Sequence, residues 1–221
     1  MNKQELHIIQ HPIIEYYLTI LRSKETDTEK FRHTIKKLAA LVAYPLSAVI
    51  QTIPTEVETP LGVSEGVNLK KQIAFFPILR SGILFSDVIS DILPVSFIGP
   101  LGIRRNRSSL LPETYYSNMP SDLSSYVCVI LDPMLATGGI ICKSLELLKS
   151  CNANDFIVLS LIATQEGINN IFSKNPEINM MCCHIDPELD IHGYIRPGLG
   201  DIGDRAFGAT DNAVLGDIYD K

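Results

Sequence analysis

Several signatures of common chemistry are missing from these 221 residues. No Gly-Lys-Ser/Thr closes a phosphate loop and no G-x-G-x-x-G follows a strand pattern, which argues against Walker NTPases and dinucleotide-binding units. The one H-x-x-x-H pair among the five histidines, His7 and His11, lacks the glutamate of the H-E-x-x-H zinc helix, so no protein-built metal site is predicted. The five cysteines (Cys128, Cys142, Cys151, Cys182, Cys183) lack C-x-x-C spacing and are odd in number, which predicts reduced, mostly buried thiols in a cytosolic protein. Positive charge is scarce: Lys and Arg total 19 against 25 Asp and Glu, a net charge of −6, which disfavours nucleic acid as a main partner. No apolar run approaches a membrane span of roughly 20 residues. Met1-Asn2-Lys3-Gln4-Glu5 leads into mixed polarity, so no signal peptide is expected. Internal repeats and low-complexity tracts are lacking.

What is present suits an ordinary globular domain. The chain is 46% hydrophobic and 20% charged, enough apolar material for a sizeable core. Residues 13–22 read as a short helix. Thr26-x-x-Glu29 has the capping-box pattern, and Phe31, Ile35, Leu38, Ala39 and Val42 follow at helical spacing until Pro45, where the helix is expected to stop. Val57-Glu58-Thr59 lies between prolines, as in an edge strand or hairpin arm. Four continuous apolar runs, Ile73–Leu79, Ser96–Ile103, Tyr126–Leu131 and Phe156–Ile162, read as parallel strands covered on both faces. Helical patterns at 82–92, 140–150 and 166–174 alternate with them, and a last strand covers Asn179–His184. The prediction is an α/β doubly wound, mostly parallel sheet. Ligands then bind outside the carboxyl ends of the strands. Residues 1–221 are read as one domain, with N-terminal helices (1–50), a polar arm or lid (104–125) and a C-terminal hood (186–210).

The run Val129–Ile140 carries the most chemistry. An apolar strand ends at Asp132-Pro133, Met134-Leu135-Ala136 follow, and Thr137-Gly138-Gly139 leads into a helix from Ile140. Glycines let a backbone approach a ligand closely, and amides at a helix start favour phosphate oxygens. Asp132 accepts hydrogen bonds and repels anions, so it suits ribose hydroxyls. The implied ligand has a ribose and a phosphate side by side.

Two further segments repeat or complete this logic. In Phe76-Pro77-Ile78-Leu79-Arg80-Ser81-Gly82 a strand ends, an arginine and a glycine follow, and a helix begins. The arginine fork matches two phosphate oxygens. Arg104-Arg105-Asn106-Arg107 then opens the arm, and a charged flap that closes over an anion would exclude water. From His192 to Gly208 five glycines and Pro197 rule out a long regular helix or central strand, yet Ile195, Leu199, Ile202 and Phe207 are apolar. Such a loop can wrap a small planar ligand with its own main chain. A main-chain donor–acceptor–donor edge accepts a ligand with the complementary edge and leaves one whose donor and acceptor are exchanged with unpaired groups.

The three motifs together resemble the uracil phosphoribosyltransferase family, and the resemblance runs from His11-Pro12 to Gly208. DPMLATGG is similar to that family's motif for 5-phosphoribosyl-1-pyrophosphate (PRPP), PILRSG to its PILRAG loop, and GYIRPGLGDIGD to its GYIVPGLGDAGD hood. The resemblance implies the type I phosphoribosyltransferase fold and transfer of phosphoribose from PRPP to uracil N1, giving UMP and diphosphate. It assigns PRPP to Arg80, Ser81, Arg105, Asp132, Pro133, Met134, Leu135, Ala136, Thr137, Gly138, Gly139, Ile140 and Asp201. It assigns uracil to Tyr194, Ile195, Gly200, Asp201 and Ile202, with Asp132, Arg105 and Asp201 as the catalytic set. Asp201 either orients uracil or accepts its proton. Pro133 stands where relatives outside the uracil branch have a second acid, so Mg2+ is expected to arrive with PRPP rather than in a protein site. A strained peptide is expected around Arg80–Ser81. A homodimer, a larger assembly, GTP binding and a cytoplasmic setting also follow from the resemblance. Departures are Arg107 and Ser108 where acids are commoner, Leu84 and Phe85 where small residues or Met are, Arg196 for an apolar residue, and Ile202 for Ala. If the residue 202 side chain faces the base, Ile crowds the pocket; if only its backbone is used, the change is harmless. These departures motivate an alternative, a catalytically weak PRPP- or nucleotide-binding regulator.

Overall fold

The computed structural model describes residues 5–105 and 111–208. In chain order the elements are β1 (Glu5–Ile8), α1 (Pro12–Arg22), α2 (Thr28–Ala48), β2 (Thr52–Thr59), β3 (Gly62–Leu69), β4 (Gln72–Pro77), α3 (Ile83–Ser90) and β5 (Val95–Ile98). Then come β6 (Leu101–Arg105), β7 (Pro112–Ser117), β8 (Tyr126–Leu131), β9 (Met134–Leu135), α4 (Gly139–Ser150), β10 (Phe156–Leu159) and β11 (Ile162–Thr164). The chain continues through α5 (Gln165–Lys174), β12 (Asn179–Cys182), β13 (His184–Asp186), β14 (Glu188–Leu189), β15 (Ile195–Arg196) and α6 (Ile202–Phe207).

Six strands form one parallel sheet in the order β1-β12-β10-β8-β4-β5. Its faces are separated by the two-residue period of each strand. Ile73, Phe75, Val129, Leu131, Ile157 and Leu159 turn toward α1, α2 and α3. Their neighbours Ala74, Phe76, Cys128, Ile130 and Val158 turn toward α4 and α5. Both faces are therefore dry, which explains the unbroken apolar runs. Each fully buried Phe or Leu contributes about 1.5–3 kcal/mol relative to exposure. From β4 the chain steps outward to β5, then crosses to β8 and on to β10 and β12. The order thus reverses between β4 and β8, and a ligand crevice opens at the carboxyl ends of those two strands.

Three predicted strands, 96–103, 156–162 and 179–184, are each two elements. β8, β10 and β12 break at one level, at Asp132-Pro133, Ser160-Leu161 and Cys183, and continue as a smaller parallel sheet β13-β11-β9. The break is stitched by main-chain bonds from Asp132 N to Leu159 O, Ser160 N to Met181 O and Leu161 N to Pro133 O, while the buried Ser160 hydroxyl is left without a partner. The run 96–103 breaks at Gly99-Pro100, where a proline removes a ladder donor, and its second half becomes β6 of the separate arm hairpin β6–β7. Helix α2 also departs from expectation. Its cap is Asp27, whose side chain accepts from Lys30 N, rather than Thr26, and the helix passes through Pro45 to Ala48. Pro45 forfeits one helical bond to the Leu41 carbonyl, a local cost offset by burial of Leu46 in the core.

Candidate active site

Four segments meet around the crevice at β4 and β8. The loop after β8 presents Asp132, which is 8% exposed. Burial pushes its carboxyl up to about 7, and the Met134 amide, 3.4 Å away, pulls weakly in the other direction. Pro133 and Leu135 are buried, Met134 packs against the first core and Ile140 against the second. The polar capacity of the run is thereby concentrated in Asp132, Thr137 and the main chain of 136–139.

Three residues that the sequence motifs did not single out shape this loop. The Thr164 hydroxyl donates to Ala136 O at 2.7 Å, and Asn170 Nδ2 donates to Thr137 O at 2.7 Å. Gly167 packs so tightly on the Ala136 carbonyl that a Cβ there would collide with it. The carbonyls of 136 and 137 therefore point at the start of α5. Gly138 completes the turn at φ +74°, a left-handed conformation that glycine adopts without steric cost, and caps α4. The only cue to these partners was the Thr164-to-Gly167 spacing of a helix cap, which Thr164 does form.

The loop after β4 lies alongside. Ile78 N donates to Leu131 O at 3.0 Å, and a Cβ on Gly82 would strike that same carbonyl and Ile78 N. No other side chain fits at 82, because the two loops touch through it. The expected unusual peptide is present one bond earlier, as a cis Leu79–Arg80 linkage. Arg80 is half exposed, and its Nη2 pairs with Asp204 Oδ1 at 2.5 Å.

That pair brings in the hood. A Cβ on Gly203 would come within 2.9 Å of Arg80 Nη2 and 3.1 Å of Asp201 Oδ1, so Arg80, Asp201 and Asp204 share one corner. Asp201 caps α6 by accepting from Asp204 N at 2.9 Å. The hood's apolar side chains face inward: Ile195, Leu199 and Ile202 are 4%, 1% and 3% exposed and belong to the core under α2. Residue 202 thus sends its side chain into the core, so the Ile-for-Ala departure does not put a larger side chain into the crevice. Tyr194 and Gly200 are exposed, and Arg196 faces solvent with Asp190 at 3.4 Å. The predicted loop gains the six-residue α6, and Gly198 to Gly203 does carry G-x-G-x-x-G spacing. The strand before it, β15, pairs antiparallel with β14, so this is no dinucleotide-binding unit.

The arm closes the ring. β6 and β7 pack against α4, Arg105 is in register with Pro112, and a Cβ on Gly139 would lie 3.9 Å from Pro112 Cγ. The backbone of Arg105 therefore leaves the fold beside the start of α4. Arg107 and Ser108 lie outside the described residues, as does the end of the hood beyond 208. Among the described residues no three His, Cys, Asp or Glu side chains converge on a metal position. The five thiols form no disulfide, and burial pushes Cys128 and Cys183 up to about 12 and Cys182 to about 11, far from reactive thiolates. No described helix is long and apolar enough to cross a membrane.

Comparison with known proteins supports a single family. Residues 8–209 match the family model described as uracil phosphoribosyltransferase. A uracil phosphoribosyltransferase of Dictyoglomus thermophilum is 37% identical over 202 residues, covering 91% of this chain and 98% of that protein. One from Listeria monocytogenes is 36% identical over 204 residues, covering 92% and 98%. A solved protein from Aquifex aeolicus is 35% identical and superimposes with a TM-score of 0.84 over 94% of this chain and 100% of its own.

Proposed function

The chain belongs to the uracil phosphoribosyltransferase family, and from that premise we propose that the crevice at β4 and β8 moves the 5-phosphoribosyl group of PRPP onto uracil. The C1′–O bond to pyrophosphate breaks, the C1′–N1 bond forms, and N1 loses its proton, giving UMP and diphosphate. The chain is a pentosyl-transferring enzyme acting in pyrimidine salvage, as its family assignment entails.

The observation that carries the site assignment is the orientation of the 136–139 loop. Its carbonyls at 136 and 137 are taken up by Thr164 and Asn170. Gly139 N donates to the Thr137 hydroxyl at a long 3.4 Å, and this hydroxyl with the amides at the start of α4 addresses the 5′-phosphate, where the helix dipole favours anions. Asp132 accepts from the ribose hydroxyls. Arg80, Ser81 and Arg105 neutralise the departing pyrophosphate, the dominant electrostatic task in a reaction with oxocarbenium-like charge. Main-chain groups of Tyr194, Ile195 and Gly200–Ile202 read the base, with Asp201 at its edge.

A lone buried carboxylate at Asp132, with Pro133 beside it, fits a magnesium ion brought in on pyrophosphate, since Mg2+ commonly takes one or two carboxylates plus substrate phosphates. Bound that way, the ion supplies positive charge to the leaving group, while Arg80 and Arg105 hold the rest. A single domain, a homodimer or larger assembly, a response to GTP and a cytoplasmic setting complete this reading. Nothing observed favours the regulatory alternative.

The test is steady-state UMP formation by the parent, Arg80→Ala and Asp132→Asn. Both variants should fold normally and lose about 100-fold or more in turnover, the scale of one lost transition-state contact. Near-normal turnover in Asp132→Asn would remove that residue from the site.

A further inference from the structure

The hood is fastened to the end of α1 by charges that no motif announced. Arg22, the last residue of α1, sends Nη2 to Asp186 Oδ1 at 2.7 Å and Nη1 to Asp186 Oδ2 at 3.0 Å. The same Nη1 donates to Gly198 O at 3.0 Å, and Gly198 N donates back to Asp186 Oδ2 at 3.0 Å. Both polar groups of one hood residue are therefore gripped by a single ion pair, and its carboxylate is 1% exposed. Arg205 reaches the opposite way from α6. Its Nη1 donates to Leu21 O at 2.5 Å and Leu199 O at 2.7 Å, its Nη2 donates to Ser23 O at 2.5 Å, and the guanidinium lies 4.2 Å from the Phe31 ring centroid. Two arginines thus hold Gly198 and Leu199, the residues immediately before Gly200–Ile202.

Stability alone is a poor reason for such a pair. The desolvation of two charges roughly offsets their attraction, and apolar residues in their place often do as well. What the pair supplies is direction. A planar guanidinium fork against a carboxylate fixes the rotation of the peptide groups it touches.

We propose that Arg22 and Asp186 are positioning residues for base recognition. They set the main chain of Gly198–Ile202 in the orientation that uracil reads, so the N-terminal helices govern affinity for the base from outside the crevice. The proposal rests on the functional reading above, because it takes that stretch as the base-reading edge. The phosphate side has independent braces: Gly82 sits on β8, and Ala136–Gly138 sit on α5. The larger effect of breaking the pair therefore falls on the base side, although the Arg80–Asp204 pair joins the hood to the phosphate side.

The experiment compares Arg22→Gln, Asp186→Asn and the milder Arg22→Lys with the parent. KM for uracil and for PRPP are measured together with backbone hydrogen exchange. The expected result is a uracil KM raised about tenfold or more, since small misplacements of a reading group cost up to about 100-fold. The PRPP KM should move by less than about twofold, and Arg22→Lys should recover part of the loss. Exchange should quicken at 197–203 and stay unchanged at 78–84 and 136–139. Equal rises in both KM values, an unchanged uracil KM in a folded variant, or faster exchange throughout the chain would overturn it. If the parent makes no UMP the functional reading fails instead, and the exchange pattern still decides whether the pair sets the hood.

Discussion

At the scale of single residues, Asp132 and Ile202 behave in ways their letters did not announce. Asp132 stood out as a candidate ligand group because an acid ended an apolar strand before a glycine turn. Its burial was not legible, and burial changes its chemistry. An ordinary Asp titrates near ~3.9, whereas this carboxyl is pushed up to about 7. Between those values the folded chain holds a proton that the unfolded chain has released, so stability falls as pH rises through that window. Asp132→Asn should remove this dependence: denaturation midpoints of parent and variant should be close near pH ~4 and diverge above pH ~7 with the variant more stable. Ribose hydroxyls favour the ionised acceptor, so PRPP affinity measured by calorimetry should improve between about pH 6 and about pH 8. Ile202 makes the opposite point. Its side chain lies in the core beneath α2. Ile202→Ala should cost about 2–5 kcal/mol of stability by denaturant titration while leaving the preference for uracil over cytosine unchanged.

At the scale of elements, the sequence yielded the cradle strand, its helix and the parallel, doubly wound character of the sheet. The elements it misjudged share one cause, tertiary override of a local signal. Phe156–Ile162 read as one strand because both halves are apolar, yet the ladder must shift register at Ser160-Leu161 to build the smaller sheet beyond. Pro45 read as a stop, but Leu46 on the next position is fully buried and holds the last turn of α2 in place. The contacts that orient the cradle lie on α5, about 30 residues downstream of it, a separation no periodicity reports. That contact gives an element-level test. Gly167→Ala puts a methyl group into the Ala136 carbonyl, so α5 and the loop must part. The PRPP KM should rise by about tenfold or more, with a stability loss of about 1–3 kcal/mol. An unchanged PRPP KM would show that α5 does not orient the loop.

At the scale of the whole molecule, the hood stood out as a candidate ligand-wrapping loop because apolar side chains recur within a glycine-rich stretch, and three of those side chains, Ile195, Leu199 and Ile202, turn into the core. What holds it was not legible. Arg22 is 164 residues from Asp186, a separation that no local pattern spans. The assembled molecule sets a cradle, a pyrophosphate loop, an arm and a hood around one crevice. Light scattering should give about twice the 24.5 kDa of the chain, or a larger even multiple. A mass of one chain would contradict the dimer. The central claim is that this crevice joins phosphoribose to uracil. Its most direct test is product identification after incubating the chain with PRPP, Mg2+ and an equal mixture of uracil and cytosine. The account predicts UMP and diphosphate in equal amounts with cytosine untouched. An absence of UMP, or CMP formed at a similar rate, would contradict it.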